Sequence, residues 1–151
     1  MDISEVQCEV LTKENTQLMG AVLRMIEKSD EMGIDILQLK DFLEWPQNHA
    51  FVASYKIEVC GFIYGYSLMS LNAAPKLFIY SVDVLNRYQN KGIGSKLFQF
   101  AVDYSKKRGY SECFVITDKG NKSACRIYEK AGGRNEFNDE IVYVINHGSN
   151  H

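Results

Sequence analysis

The residues of this 151-residue chain best suited to chemistry lie in one stretch, Val82-Asp83-Val84-Leu85-Asn86-Arg87-Tyr88-Gln89-Asn90-Lys91-Gly92-Ile93-Gly94-Ser95-Lys96. An apolar strand runs there into a short polar turn and then two glycines spaced Gly-x-Gly. An amphipathic helix opens immediately after them. A row of backbone N–H groups and the positive end of a helix dipole are thereby aimed at one spot, which suits an anionic phosphate ester. Two familiar phosphate motifs fail on spacing. A P-loop requires Gly-x-x-x-x-Gly-Lys-Ser/Thr, whereas Gly94-Ser95-Lys96 is followed by Leu97. A dinucleotide fingerprint requires a third glycine where Leu97 stands, and its first glycine at the strand end rather than well beyond Val84.

Composition narrows the class. The length fits one domain that can bury a core without staples. The formal net charge of −2 provides no basic field of the kind that attracts nucleic acid, so no nucleic-acid partner is expected. Cys8, Cys60, Cys113 and Cys125 stand far apart with no C-x-x-C pair, and there are only three histidines, so no metal is expected. Buried reduced thiols suit a cytoplasmic protein. No signal peptide opens the chain, and no apolar run reaches the roughly 18 residues a membrane span requires. A soluble cytoplasmic protein with no membrane partner is the expectation.

The elements that must position the glycine turn follow from periodicity. Alternation predicts a strand over Ser4–Leu11, with Thr12 as a helix cap and a helix over Gln17–Ile26, the region ending at Gly33. A second helix spans Ile36–Trp45, with Ile36, Leu37, Leu39, Phe42 and Leu43 inward. Three antiparallel strands follow: His49–Tyr55, Glu58–Ser70 and Leu77–Val84, the first two joined by a tight turn. Gly92–Arg108 is a helix stopped by Gly109, Cys113–Thr117 a buried strand, Asn121–Ala131 a helix, and Glu140–Ile145 a last strand. The expected class is α+β: a single domain over 1–146 with a polar tail at 147–151. Its mixed, mostly antiparallel sheet is flanked by helices in the order β-α-α-β-β-β-α-β-α-β.

What remains of the glycine turn, Gln89-x-x-Gly92-x-Gly94, resembles the GNAT superfamily of acyl-CoA-dependent N-acetyltransferases, whose signature is Gln/Arg-x-x-Gly-x-Gly/Ala between a strand and a helix. A second signature of that family, Asn-x-x-Ala-x-x-x-Tyr-Glu-Lys, is matched by Asn121-Lys122-Ser123-Ala124-Cys125-Arg126-Ile127-Tyr128-Glu129-Lys130. Together the motifs cover roughly residues 76 to 132, and the order of elements agrees.

The resemblance implies acetyl-CoA as co-substrate, lying where the strands Leu77–Val84 and Cys113–Thr117 diverge. It places the pyrophosphate on the backbone of Gln89, Asn90, Lys91, Gly92, Ile93, Gly94 and Ser95, with Lys91 and Lys96 adding charge. A bulge near Val82-Asp83-Val84 would free main chain to pair with the pantetheine arm, and the Val84 N–H would polarise the acetyl carbonyl. Val82 and Val84 line the cleft. Asn121 caps the last helix or bonds the pantetheine, Ala124 lies on the same helix, and Arg126 and Lys130 reach toward the adenosine phosphates. Tyr128 is implied as the proton donor to the departing thiolate.

An amine of pKa near 10 must lose a proton before it attacks. Asp83 is the first candidate to receive it, directly or through water, ahead of Asp139, Glu140, His49 and His147. Glu27, Asp30, Glu31 and Asp35 are candidates for the acceptor mouth. The Phe78–Gly94 stretch with Tyr128–Gly132 is similar to the aminoglycoside 3-N-acetyltransferase branch. That branch, however, carries an aspartate where Ser81 stands and ends its second motif Gly-Phe rather than Gly132-Gly133. The expected activity is transfer of an acetyl group to a primary amine by direct attack in a ternary complex. The acceptor is an aminoglycoside, a polyamine or another small amine. Alternatives are a protein amine as acceptor, or a catalytically silent CoA-binding sensor. Relatives pair through their late strands, so a homodimer is expected.

Overall fold

The computed structural model describes residues 1–28 and 34–148. A 3-10 turn at Ile3–Glu5 leads into strand β1 (Val6–Val10), followed by helices α1 (Thr16–Glu27) and α2 (Ile36–Glu44). Strands β2 (Asn48–Tyr55), β3 (Glu58–Leu68) and β4 (Lys76–Val84) come next, then a 3-10 turn at Asn86–Tyr88 and helix α3 (Ile93–Lys107). Strand β5 (Glu112–Val115) and helix α4 (Lys122–Lys130) complete the set. The order matches the expectation from β1 to α4.

Side-chain caps set the starts of α1 and α2. Asn15, not Thr12, caps α1: its side chain accepts from the Leu18 N–H at 3.0 Å. Asp35 and Gln38 exchange hydrogen bonds in a capping box that fixes the start of α2. In α2 only Leu39 is buried, with Phe42 and Leu43 half-buried; Ile36 and Leu37 face solvent, against expectation. Gly33, Asp30 and Glu31 lie outside the described residues.

The five strands form one sheet in the order β1-β2-β3-β4-β5, antiparallel except for the parallel pair β4–β5. Two hydrophobic layers cover it. Helices α3 and α4 close one face, where Phe51, Ile63, Leu77, Ile79, Ile93, Leu97 and Phe98 are packed. Helices α1 and α2 close the other, over Met19, Val22, Leu39, Val52, Val59 and Phe62. In β4 the partner of Tyr64 is Ser81 and that of Gly65 is Ile79, so Tyr80 is an extra residue, a β-bulge. This bulge precedes the Val82–Val84 position predicted for it. It lets Val82 and Val84 share a face with Leu77 and Ile79 although strict alternation would put them on opposite faces.

Two strand predictions at the end of the chain need correction. Cys113–Thr117 is not a buried strand: β5 is a short, half-exposed edge, with Cys113 half-buried and Ile116 open to solvent. Glu140–Ile145 forms no strand, because a strand exists only through a hydrogen-bonded neighbour and this segment lies against none of the five.

Candidate active site

Strands β4 and β5 pair only from Lys76 opposite Glu112 to Ile79 opposite Val115. The Tyr80 bulge follows at once, and the sheet opens there into a fork with the main chain of Tyr80–Val84 bordering it. A cavity of about 410 Å³ lies on the β4 side of the fork. Val82 and Val84 line it from β4, Tyr88, Gln89, Asn90, Gly92, Gly94 and Ser95 from the connection to α3, and Asn121, Ser123, Ala124, Arg126, Ile127, Tyr128 and Lys130 from α4. Among these lining residues are two cations and no carboxylate.

The turn is built to leave donors free. Gly92 caps α3 in the left-handed conformation, φ 90°, with no side chain to take up the N–H groups of the first helical turn. Those groups and the helix dipole therefore face the cavity end. The amide of Gln89 donates to the Val84 carbonyl at 3.0 Å and to Asn86 Oδ1 at 3.1 Å, tying the turn back to the end of β4. Gly94 serves packing: a Cβ there would lie 2.9 Å from Ile127 Cδ1, so its bareness lets α4 close on α3.

Glu58, at the start of β3, holds the turn from below. It accepts from the Tyr88 hydroxyl at 2.7 Å and from Lys28 at 2.9 Å, and pairs with Arg87. The Lys28 ammonium, followed by the Tyr88 hydroxyl, draws its carboxyl down to about 2.

On α4, Asn121 Oδ1 accepts from the Ala124 N–H at 3.1 Å, so the cap and the cavity wall are the same residue. Tyr128 is half-buried with its ring 4.8 Å from that of Phe98. Burial, and then neighbouring Cys125, raises its hydroxyl above the usual tyrosine value, so it stays protonated at neutral pH.

Five residues expected at the site do not line its cavity with their side chains. Ile93 is buried in the core, and only its main chain belongs to the turn. The Lys96 ammonium donates to the carbonyls of Ile3 at 3.1 Å and Val6 at 2.6 Å, fastening α3 to the first strand. Lys91 is exposed and outside the cavity wall. Asp83 points to the other face of β4, where its charge raises the Tyr64 hydroxyl after burial and the charges of Tyr66 and Tyr80. His49 is buried, bonded to Ser67 Oγ at 2.6 Å, and pushed down to about 4 by burial and then Arg108.

Tyr88, Ser123 and Ile127 also line the cavity although neither motif marks them. For Ser123 and Ile127 the signal was available, since both are helical neighbours of Ala124 and Tyr128. Among the described residues no group of three His, Cys, Asp or Glu is placed to hold a metal ion, and no helix is long and apolar enough to cross a membrane.

The family description "Acetyltransferase (GNAT) family" matches residues 16–133. The chain belongs to the GNAT acetyltransferase family. A curated relative, N-alpha-acetyltransferase 30 of Schizosaccharomyces pombe, is 27% identical over 89 residues, and the match spans 59% of this chain and 59% of that protein. GNAT structures superpose more fully. An aminoglycoside acetyltransferase from an uncultured soil metagenomic sample, solved in complex with sisomicin, has a TM-score of 0.79 at 22% identity, covering 95% of this chain and 98% of that one. The aminoglycoside acetyltransferase AAC(6')-Iy, in complex with the bisubstrate analog CoA-S-monomethyl-acetylneamine, has a TM-score of 0.72 at 15% identity, covering 95% and 99%. A ribosomal-protein-alanine N-acetyltransferase from Brucella melitensis biovar Abortus 2308 has a TM-score of 0.66 at 14% identity, covering 92% and 99%. At these identities the structural likeness establishes the GNAT fold.

Proposed function

We propose that this chain is an acetyl-CoA-dependent N-acetyltransferase acting on a small cationic amine in the cytoplasm, as a homodimer. The observation that carries the reading is the fork between β4 and β5. In one cavity it joins an open strand edge, an uncapped helix start, the cations Arg126 and Lys130, and the Tyr128 hydroxyl. The donor fits this inventory. Its pyrophosphate takes the N–H groups around Gly92–Ser95, and its amide-bearing arm pairs with the freed main chain of β4. Gln89, Asn90 and Asn121 line the path, and the cations neutralise phosphate charge.

The acceptor approaches from the opposite face of β4. There Tyr64 and Tyr80 pack at 5.5 Å and Tyr66 and Tyr80 at 5.9 Å, Phe42 abuts Tyr64 at 5.5 Å, and Phe78 stacks on Phe114 at 4.8 Å. An aromatic shelf with Asp83 beside it suits a protonated amine. Asp83, directly or through water, receives the proton that frees the nitrogen lone pair. The nitrogen attacks the thioester carbonyl, whose oxygen is stabilised by the Val84 N–H. The C–S bond breaks, and Tyr128 donates its proton to the sulfur. The second proton of the attacking nitrogen passes through water to restore the Tyr128 hydroxyl, and Asp83 releases its proton to solvent. The products are an N-acetyl amine and free CoA.

A protein N-terminal amine is the second reading, supported by the name of the yeast relative. Mixing the protein with acetyl-CoA and a panel of aminoglycosides, polyamines and short peptides, and following thiol release, tests both. Turnover on small cationic amines is expected. Turnover on peptides alone selects the second reading, and binding of acetyl-CoA with no turnover leaves a sensor. Tyr128→Phe is expected to lower kcat about 100-fold, at the low end of general-acid contributions, with little change in acetyl-CoA affinity. An unchanged kcat removes its role.

A further inference from the structure

The face of β3 and β4 turned away from the cavity is rich in rings, and Tyr80 stands at their centre. Its ring lies 5.5 Å from Tyr64, 5.9 Å from Tyr66 and 6.0 Å from Phe78, yet the residue is 59% exposed. Phe114 stacks on Phe78 at 4.8 Å with the planes 9° apart, and Phe42 of α2 meets Tyr64 at 5.5 Å and Tyr66 at 5.8 Å. Rings gain from offset and edge contacts beyond the area they bury, so a shelf of this kind with an open ring at its centre seats another flat ring.

Charge on this face is sparse. Burial, and then neighbouring tyrosine charge, raises the Tyr64 and Tyr66 hydroxyls, so both stay neutral at neutral pH. Of the carboxylates on β3, β4 and β5, Glu58 is held by Lys28, Arg87 and Tyr88, and Glu112 pairs with Lys76 at 3.5 Å. Asp83 is the one beside the rings, near enough for its charge to act on Tyr64. One carboxylate balances one ammonium. A polyamine or an aminoglycoside carries several, and each further ammonium brought against the rings gives up water without an anionic partner.

Register sets the spacing between ring seat and charge. Tyr64 stands opposite Ser81, and Phe62 opposite Asp83, two residues further along the same face. Seat and carboxylate are therefore about 7 Å apart along the strand, the reach of a short alkyl arm between a ring and its nitrogen.

We propose that the acceptor is a primary arylalkylamine: a single ammonium on a short alkyl arm, with an aromatic ring that seats on Tyr80, Tyr64 and Tyr66. The inference rests on the acetyltransferase reading above and narrows its small cationic amine to this class. The ammonium meets Asp83, and the transfer proceeds as given there, with an N-acetyl arylalkylamine and free CoA as products. Tyr80 is the residue that selects the ring.

Thiol release from acetyl-CoA is followed with phenethylamine, n-hexylamine, spermidine and kanamycin, and acetyl-CoA binding is titrated separately. The kcat/KM for phenethylamine is expected to be about tenfold above that for n-hexylamine, which has the same charge and no ring, with spermidine and kanamycin lower still. Tyr80→Ala keeps the extra residue of the bulge. It is expected to erase the preference for phenethylamine over n-hexylamine by raising the phenethylamine KM, with acetyl-CoA affinity unchanged, and Tyr80→Phe is expected to restore that preference. Equal kcat/KM for phenethylamine and n-hexylamine, higher values for spermidine or kanamycin, or a preference that survives Tyr80→Ala overturns the ring seat and leaves the acetyltransferase reading standing. Acetyl-CoA binding with no turnover on any of these amines overturns the arylalkylamine class together with the small-amine reading beneath it.

Discussion

Tyr128 and Gly92 carry different parts of the site. The motif spacing identified both, but the reason Gly92 must be glycine is a backbone angle that spacing only hints at. At φ 90° a side chain is strained, and the N–H groups left uncapped there are the donors proposed above to hold phosphate. Gly92→Ala is therefore expected to cost about 1 kcal/mol of stability and to weaken acetyl-CoA binding while sparing kcat at saturation. Denaturant unfolding and a binding titration check this, and an unchanged affinity would detach the turn from phosphate binding. Lys96 shows the opposite case. A lysine beside a phosphate turn invites an ionic role, but its ammonium is committed to the carbonyls of Ile3 and Val6, a long-range contact that no local pattern announces. Asp83 was placed on the correct strand by sequence; that it lies on the face opposite Val82 and Val84 follows from strand alternation once the sheet is seen.

Among the elements, the helices were the most legible, because apolar spacing and capping residues are local signals. The ends of the sheet were the least, since pairing depends on which strands meet. Cys113–Thr117 reads as a buried strand and Glu140–Ile145 as a last strand, but among the described residues the first has a neighbour on one side only and the second has none. Contacts between elements also support the site from outside its motifs. Glu58 on β3 gathers Lys28 from the end of α1 and Arg87 and Tyr88 from the turn before α3. Tyr88 in turn lines the cavity. Glu58→Gln is expected to raise the acetyl-CoA KM several-fold with kcat nearly unchanged, since the residue positions the turn and touches no reacting atom. Steady-state kinetics at varied acetyl-CoA check it, and a fall in kcat alone would contradict that assignment.

The whole molecule should lose stability on acidification in two overlapping windows. His49 is held neutral by burial, its value moved from 6.5 to about 4. Above pH 6.5 both folded and unfolded chains hold it neutral. As pH falls toward 4 only the unfolded chain gains the proton, which costs the fold about 2 kcal/mol between pH 7 and pH 5. Glu58 acts lower: its charged form is favoured in the fold, so its contribution is present above 4.5 and lost as pH falls toward about 2. Urea unfolding at a series of pH values is expected to show the first decline already near pH 6. His49→Gln should flatten that part of the curve, and an equal slope in the variant would assign it to other groups.

The extra residue at Tyr80 sets a limit on how far β4 and β5 can zip together. It sits directly after the last paired residue, Ile79, and kinks the strand where the two would otherwise continue in step. Removing Tyr80 keeps every side chain of β4 on its present face, because a bulge adds one residue without a partner. The core would survive, but the obstacle to further pairing would be gone. Such a deletion variant is expected to fold, by circular dichroism, yet to fail to bind acetyl-CoA. A single supernumerary residue then works as a spacer that keeps the sheet from sealing its own binding slot.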